Sequence, residues 1–134
     1  IDSLKNETRT TILYEAPHRI KNTLKELYSE LGNRRVAICR ELTKKFEEIY
    51  RIALSDASTM YDNSEPRGEY VIVVEGRPME EIISEQRQKW DNVSINEHIN
   101  MYINKGMNKK DAMKKVASDR GLPKREVYRL MLDE

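Results

Sequence analysis

Apolar positions in this chain follow two rhythms, and the change between them divides the sequence. Up to residue 76 short strand-like runs predominate: Arg9 to Tyr14, then Arg35 to Arg40, then Phe46 to Leu54, then Glu69 to Val74. The second is apolar at successive positions, the pattern of a strand covered on both faces. Between the first two lies one helical stripe, Ile20, Leu24, Leu27 and Leu31, with Pro17 suited to its first turn and Gly32-Asn33 to its end. Residues 55–63 read as a short helix or an irregular excursion. Residues 77–93 read as a polar, partly helical connector anchored by Ile82, Ile83 and Trp90. From residue 94 the spacing is helical throughout.

That last segment carries its own punctuation. Ser94 and Glu97 make a capping box ahead of the stripe Ile95, Ile99, Tyr102 and Ile103. Gly106 ends that helix and Asn108 caps a second, with Ala112, Met113, Val116 and Ala117 inward. Gly121 stops it, and Pro123 opens a third with Val127, Leu130 and Met131 inward. The expected fold class is therefore α/β: a mixed-sheet domain over 1–76, a connector over 77–93, and a trihelical, helix-turn-helix-like tail over 94–134.

Composition adds limits. With 134 residues, 35% of them charged, and a net charge of +1, the chain is a modest domain plus an appendage, and any basic surface is local. One such locality is the tail, which has nine Lys or Arg against six Asp or Glu. Lys124, Arg125 and Arg129 fall on its last helix, where they form either a solvated face of a packing module or a nucleic-acid contact. No run approaches the roughly 18 apolar residues of a membrane span. The single cysteine, Cys39, fits a buried strand position in a reducing, cytoplasmic compartment. Two histidines far apart, without cysteine companions, make a metal site unexpected. The chain opens at Ile1 and reaches a strand almost at once, as expected of a piece with partner elements upstream.

The chemistry gathers at strand ends. Tyr14-Glu15-Ala16-Pro17-His18-Arg19 places an acid, a rigid proline, an imidazole and a guanidinium at a strand-to-helix junction, where α/β proteins hold ligands. Arg40-Glu41 with Lys44-Lys45, and Arg67-Gly68-Glu69, fall at further strand ends. Charges beside buried strands either pair at the sheet edge or face a cavity, and Ala16 and Gly68 leave room for a ligand. No phosphate loop, dinucleotide fingerprint or nucleophile–base pair stands out. Residue chemistry alone reaches half of a ligand cleft with a cationic rim, and no reaction.

The same strings are similar to a known family. Tyr14-Glu15-Ala16-Pro17-His18-Arg19, Leu31-Gly32-Asn33-Arg34-Arg35-Val36, Arg40-Glu41-Leu42-Thr43-Lys44 with Phe46-Glu47-Glu48, and Arg67-Gly68-Glu69-Tyr70-Val71 through Glu75-Gly76 resemble ribosomal RNA small subunit methyltransferase I. Gly121 to Tyr128 resembles its helical tail. That family belongs to the tetrapyrrole methylase superfamily and moves a methyl group from S-adenosylmethionine to a cytidine ribose 2′-oxygen of 16S rRNA.

The resemblance implies a C-terminal portion that supplies one wall of a two-domain cleft, inactive without the absent N-terminal domain. It implies a homodimer and the small ribosomal subunit as partner. By the same resemblance, Tyr14, Glu15, Ala16, Arg40, Glu41, Gly68 and Glu69 border S-adenosylmethionine. His18, Glu15 and Glu41 are the candidate bases for the ribose hydroxyl. Arg19, Arg40, Lys44 and Lys45, with Lys124, Arg125 and Arg129 of the tail, suit RNA phosphates. A tetrapyrrole methyltransferase and a non-catalytic RNA-binding module are the competing readings.

Overall fold

The computed structural model describes residues 1–134 and contains two compact units, Ile1–Pro78 and Met79–Glu134. The first opens with a single 3-10 turn and holds β1 (Thr11–Glu15), α1 (Ile20–Leu31), β2 (Arg35–Arg40), β3 (Glu48–Ala53), α2 (Leu54–Ala57) and β4 (Tyr70–Val74). The sheet order is β1-β4-β2-β3. The α/β class holds, but every pairing is antiparallel, where a mixed sheet was expected. The cause is β4. It enters between the two strands that α1 connects, so the would-be parallel neighbours each meet β4 instead.

Register explains which side chains are buried. Leu13, Ile72 and Ile38 align across three strands, as do Val74, Val36 and Ile52 on the same face. These pack with Ile20, Leu24 and Leu27 of α1 and with Leu54 and Ala57 of α2. Truncating one such leucine to alanine costs about 2–5 kcal/mol. The alternate positions, Ile12, Tyr14, Val73, Val71 and Ile49, form an apolar second face that no element of this unit joins to the core. Ile12 is 58% and Tyr14 82% exposed. Helix α1 also begins three residues later than the Pro17 expectation: the Ala16 carbonyl accepts from the amides of both Arg19 and Ile20, which makes residues 17–19 a turn.

The second unit contains α3 (Met79–Gln88), α4 (Ile95–Asn104), α5 (Lys109–Arg120) and α6 (Lys124–Asp133). Both predicted caps form: the Ser94 hydroxyl accepts from the Glu97 amide at 3.1 Å, and Asn108 Oδ1 from the Asp111 amide at 2.8 Å. Gly121 ends α5 in the left-handed region, φ 63°, where a side chain is strained. The core is Ile95, Ile99, Ala112, Met113, Val116, Ala117 and Val127.

One polar side chain, His98, is fully buried beside that core. Arg120 Nε donates to its Nδ1 at 2.9 Å, which leaves Nε2–H to donate to Asp119 Oδ2 at 3.1 Å. The Tyr102 hydroxyl donates to the same oxygen. Trp90 stacks on the imidazole with ring centroids 3.7 Å apart, and Arg120 Nη2 reaches the Val93 carbonyl at 2.6 Å. The stretch expected as a polar connector is thus mostly helix α3 and is fastened to the helical unit.

Candidate functional site

Register also builds the site. Glu15, Tyr70, Arg40 and Glu48 stand in one row across the sheet, so the end of β1, the start of β4 and the end of β2 meet at one edge. A cleft of about 410 Å³ opens there. Tyr14, Cys39, Val71 and Tyr70 line it with apolar surface, and Glu15, Glu41 and Glu69 bring carboxylates. Ala16, Arg19, Leu42 and Lys44 complete the lining.

Glu15 is clamped. Its Oε2 accepts from the Thr23 hydroxyl at 2.6 Å and its Oε1 from the Ala16 amide at 2.8 Å, and Arg19 Nε forms an ion pair with Oε1 at 3.0 Å. The Thr23 bond above all, with the Ala16 amide and Arg19, holds the carboxyl below its ordinary range against the opposing effect of burial. A carboxylate with its lone pairs so engaged is a poor proton acceptor and a well-oriented anionic wall. Thr23 was missed in the sequence, although a hydroxyl on the buried stripe of α1 has to find an acceptor.

Glu41 is placed by backbone conformation. It has φ 54° and Thr43 φ 65°, both left-handed and costly for residues other than glycine. Lys44 Nζ lies 3.2 Å from its carboxylate. A Cβ added at Gly68, itself at φ 80°, would fall 2.6 Å from Glu41 Oε1, so the absence of a side chain there is what admits the carboxylate.

Not every nominated residue reaches the cleft. His18 is exposed in the turn after β1 and is not part of the lining, and Gly68 acts from behind Glu41. Arg40 lies on the helix-covered face, where its buried Nε faces Glu48 Oε2 at 3.4 Å, off the hydrogen-bond axis. Lys45 points its ammonium at the Phe46 ring, 5.6 Å from the centroid. In the second unit Lys124 and Arg125 are exposed at the start of α6, whereas Arg129 forms a two-armed pair with Glu126. The apolar lining, Cys39, Tyr70 and Val71, carries only a strand pattern in the sequence.

An antiparallel α/β unit with a carboxylate-lined cleft at its strand ends, followed in sequence by a four-helix unit, defines the class: an α/β protein with a strand-end cleft and a helical appendage. Comparison with known proteins narrows it. The chain is 45% identical, over 96% of its length, to ribosomal RNA small subunit methyltransferase I of Bacillus subtilis, covering 44% of that protein. It is 40% identical over its full length to the protein of the same name from Halalkalibacterium halodurans, covering 46%. Against the Synechocystis protein of that name it is 34% identical over 99% of its length, again covering 46%. No family model matches the chain. Over 96% or more of its length the chain matches members of the ribosomal RNA small subunit methyltransferase I family, and it spans less than half the length of these relatives.

Proposed function

We propose that this chain is the C-terminal portion of an S-adenosylmethionine-dependent methyltransferase that modifies a ribose 2′-hydroxyl of 16S rRNA, and that its cleft is one wall of the cofactor and substrate site. The observation that carries the reading is the cleft itself: carboxylates of Glu15, Glu41 and Glu69 over an apolar floor, beside the exposed Tyr14 ring. This donor set fits the group. S-adenosylmethionine, when bound, supplies an electrophilic methyl on a sulfonium cation. Carboxylates suit its positive charge, and an exposed phenol suits a purine face. Glu15, with its fixed orientation, holds; Glu41, at the loop margin, is the better placed of the two to take a proton from an incoming hydroxyl. His18 is the weaker candidate because it lies outside the cleft lining.

The rest of the cofactor site belongs to an upstream domain. A homodimer and a cytoplasmic setting go with the same reading; no helix here is long and apolar enough to cross a membrane. The test is transfer of labelled methyl by the full-length protein to small ribosomal subunits. Glu41→Gln should reduce turnover by about 100-fold, within the usual range for a lost general base. Absence of transfer by the wild-type protein would sink the reading, and unimpaired Glu41→Gln would remove the proposed base.

A further inference from the structure

The loop from Glu41 to Glu47, between β2 and β3, carries more than a cleft margin. Near its β3 end stands Phe46, the only phenylalanine in the chain and 73% exposed. A single exposed apolar residue is unremarkable by itself. This one is mounted on a built loop: two left-handed residues, a Glu41 carbonyl accepting from the Lys44 amide at 3.0 Å, and a Glu47 carboxylate accepting from the Thr43 amide at 3.1 Å. Conformational strain of that kind is retained where geometry matters.

The surrounding charge points to the ligand. Glu47 is engaged by Thr43, and Glu48 faces Arg40. Lys45 meets an aromatic face, with Nζ 5.6 Å from the Phe46 centroid. Lys44 and Leu42, on the same loop, line the cleft. An aromatic ring with a cation at its face, beside a second cation and a cleft, is the arrangement that stacks an unpaired base while ammonium groups take the flanking phosphates. A protein-docking phenylalanine is typically set among further apolar side chains, whereas the ring of this one meets the Lys45 ammonium.

Resting on the methyltransferase reading, we propose that Phe46 is a stacking platform for an unpaired RNA base next to the target nucleotide, with Lys45 beside the adjoining phosphate. The substrate class is therefore single-stranded RNA rather than a continuous duplex.

The test uses the full-length protein and four substitutions, Phe46→Ala, Phe46→Leu, Phe46→Trp and Lys45→Gln, each checked for an unchanged melting temperature. The probes are a short single-stranded oligocytidine RNA, the same strand with abasic sites, and an RNA duplex. Phe46→Ala and Phe46→Leu should each bind the single strand about 10- to 100-fold more weakly, the range of one lost base stack. Phe46→Trp should keep the affinity and show fluorescence quenching on binding, taken as the difference from wild type. The abasic strand should bind wild type and the Phe46 variants alike. Lys45→Gln should lower the salt slope by about one, which Phe46→Ala leaves unchanged.

Wild-type affinity in Phe46→Ala and Phe46→Leu overturns the proposal. So does loss of self-association in these variants with RNA affinity intact, which would make Phe46 a protein contact. Methyl transfer by the same wild-type preparation is scored separately, so failure of the enzyme reading and failure of the stacking proposal are distinguishable.

Discussion

In the helical unit the one fully buried polar side chain, His98, has both ring nitrogens engaged and a tryptophan stacked on its face, whereas in the sheet unit the polar groups gather around an open cleft and a whole apolar sheet face stands uncovered by its own helices. The first arrangement is a finished interior. The second is a surface whose energetics improve when something is placed on it, since an exposed apolar patch of this kind marks a contact or ligand site. The difference separates two jobs. Side chains in the helical unit are held to keep the fold, and those at the strand ends of the sheet unit are held around an open cleft.

The comparison breaks most visibly at Asp119. Asp119→Ala leaves the buried His98 and the Tyr102 hydroxyl without their shared acceptor and should destabilise the helical unit by about 3 kcal/mol. Hydrogen exchange should show α4 and α5 amides losing protection while the β2 and β4 amides keep theirs. Equal loss in both would mean that the units do not unfold separately. The matching lesion in the sheet unit is Gly76→Ala, where a new Cβ would lie 2.0 Å from the Thr8 carbonyl oxygen. Relief requires backbone movement at the chain crossing, and about 2 kcal/mol of destabilisation is expected in chemical denaturation, localised to the sheet.

Acid separates the units next. Burial above all keeps the His98 imidazole neutral, with Arg120 acting in the same direction and Asp119 opposing, so its pKa in the folded state lies below the ordinary 6.5. The unfolded chain therefore takes up a proton first, and stability falls as the pH drops below 6.5 toward the folded value. Asp119 is also held low: burial pushes its pKa up, but the Tyr102, His98 and Lys115 donors outweigh that. Its contribution is present above the ordinary 3.8 and lost below it. In the sheet unit Glu15 acts likewise, from its ordinary 4.5 downward. Between pH 6.5 and 4.5 the helical unit should weaken first, and His98→Gln should flatten that slope in pH-dependent melting.

Much of this was legible in the residues. The stripe Ile20, Leu24 and Leu27, the Ser94 and Asn108 caps and the stop at Gly121 are local signals, and local signals survive folding. What the sequence did not carry was long-range. The insertion of β4 between β1 and β2 depends on which strands pair, and periodicity is silent on that. The His98 network joins Trp90, Tyr102, Asp119 and Arg120 across α4, α5 and the turn after α3, so neither histidine spacing nor the polar look of 77–93 announced it. At the cleft the strand-end carboxylates were visible as charges beside buried runs. The displacement of His18 and Arg40 from the lining follows from the turn before α1 and from side-chain alternation along β2.

The smallest expected effect tests the cationic tail against the cleft. If the tail meets RNA, each phosphate contact contributes about one unit to the dependence of log affinity on log salt concentration. Lys124 and Arg125 are exposed, and Arg129 is already paired with Glu126. Lys124→Gln and Arg125→Gln in the full-length protein should therefore each lower the slope by about one, and Arg129→Gln by less, because that guanidinium must leave a carboxylate before it reaches a phosphate. An unchanged slope in all three would assign the tail's charges to a solvated face. On the proposed function, RNA contact would then fall to the sheet unit, where Lys44 lines the cleft and Lys45 and Phe46 lie on the same loop.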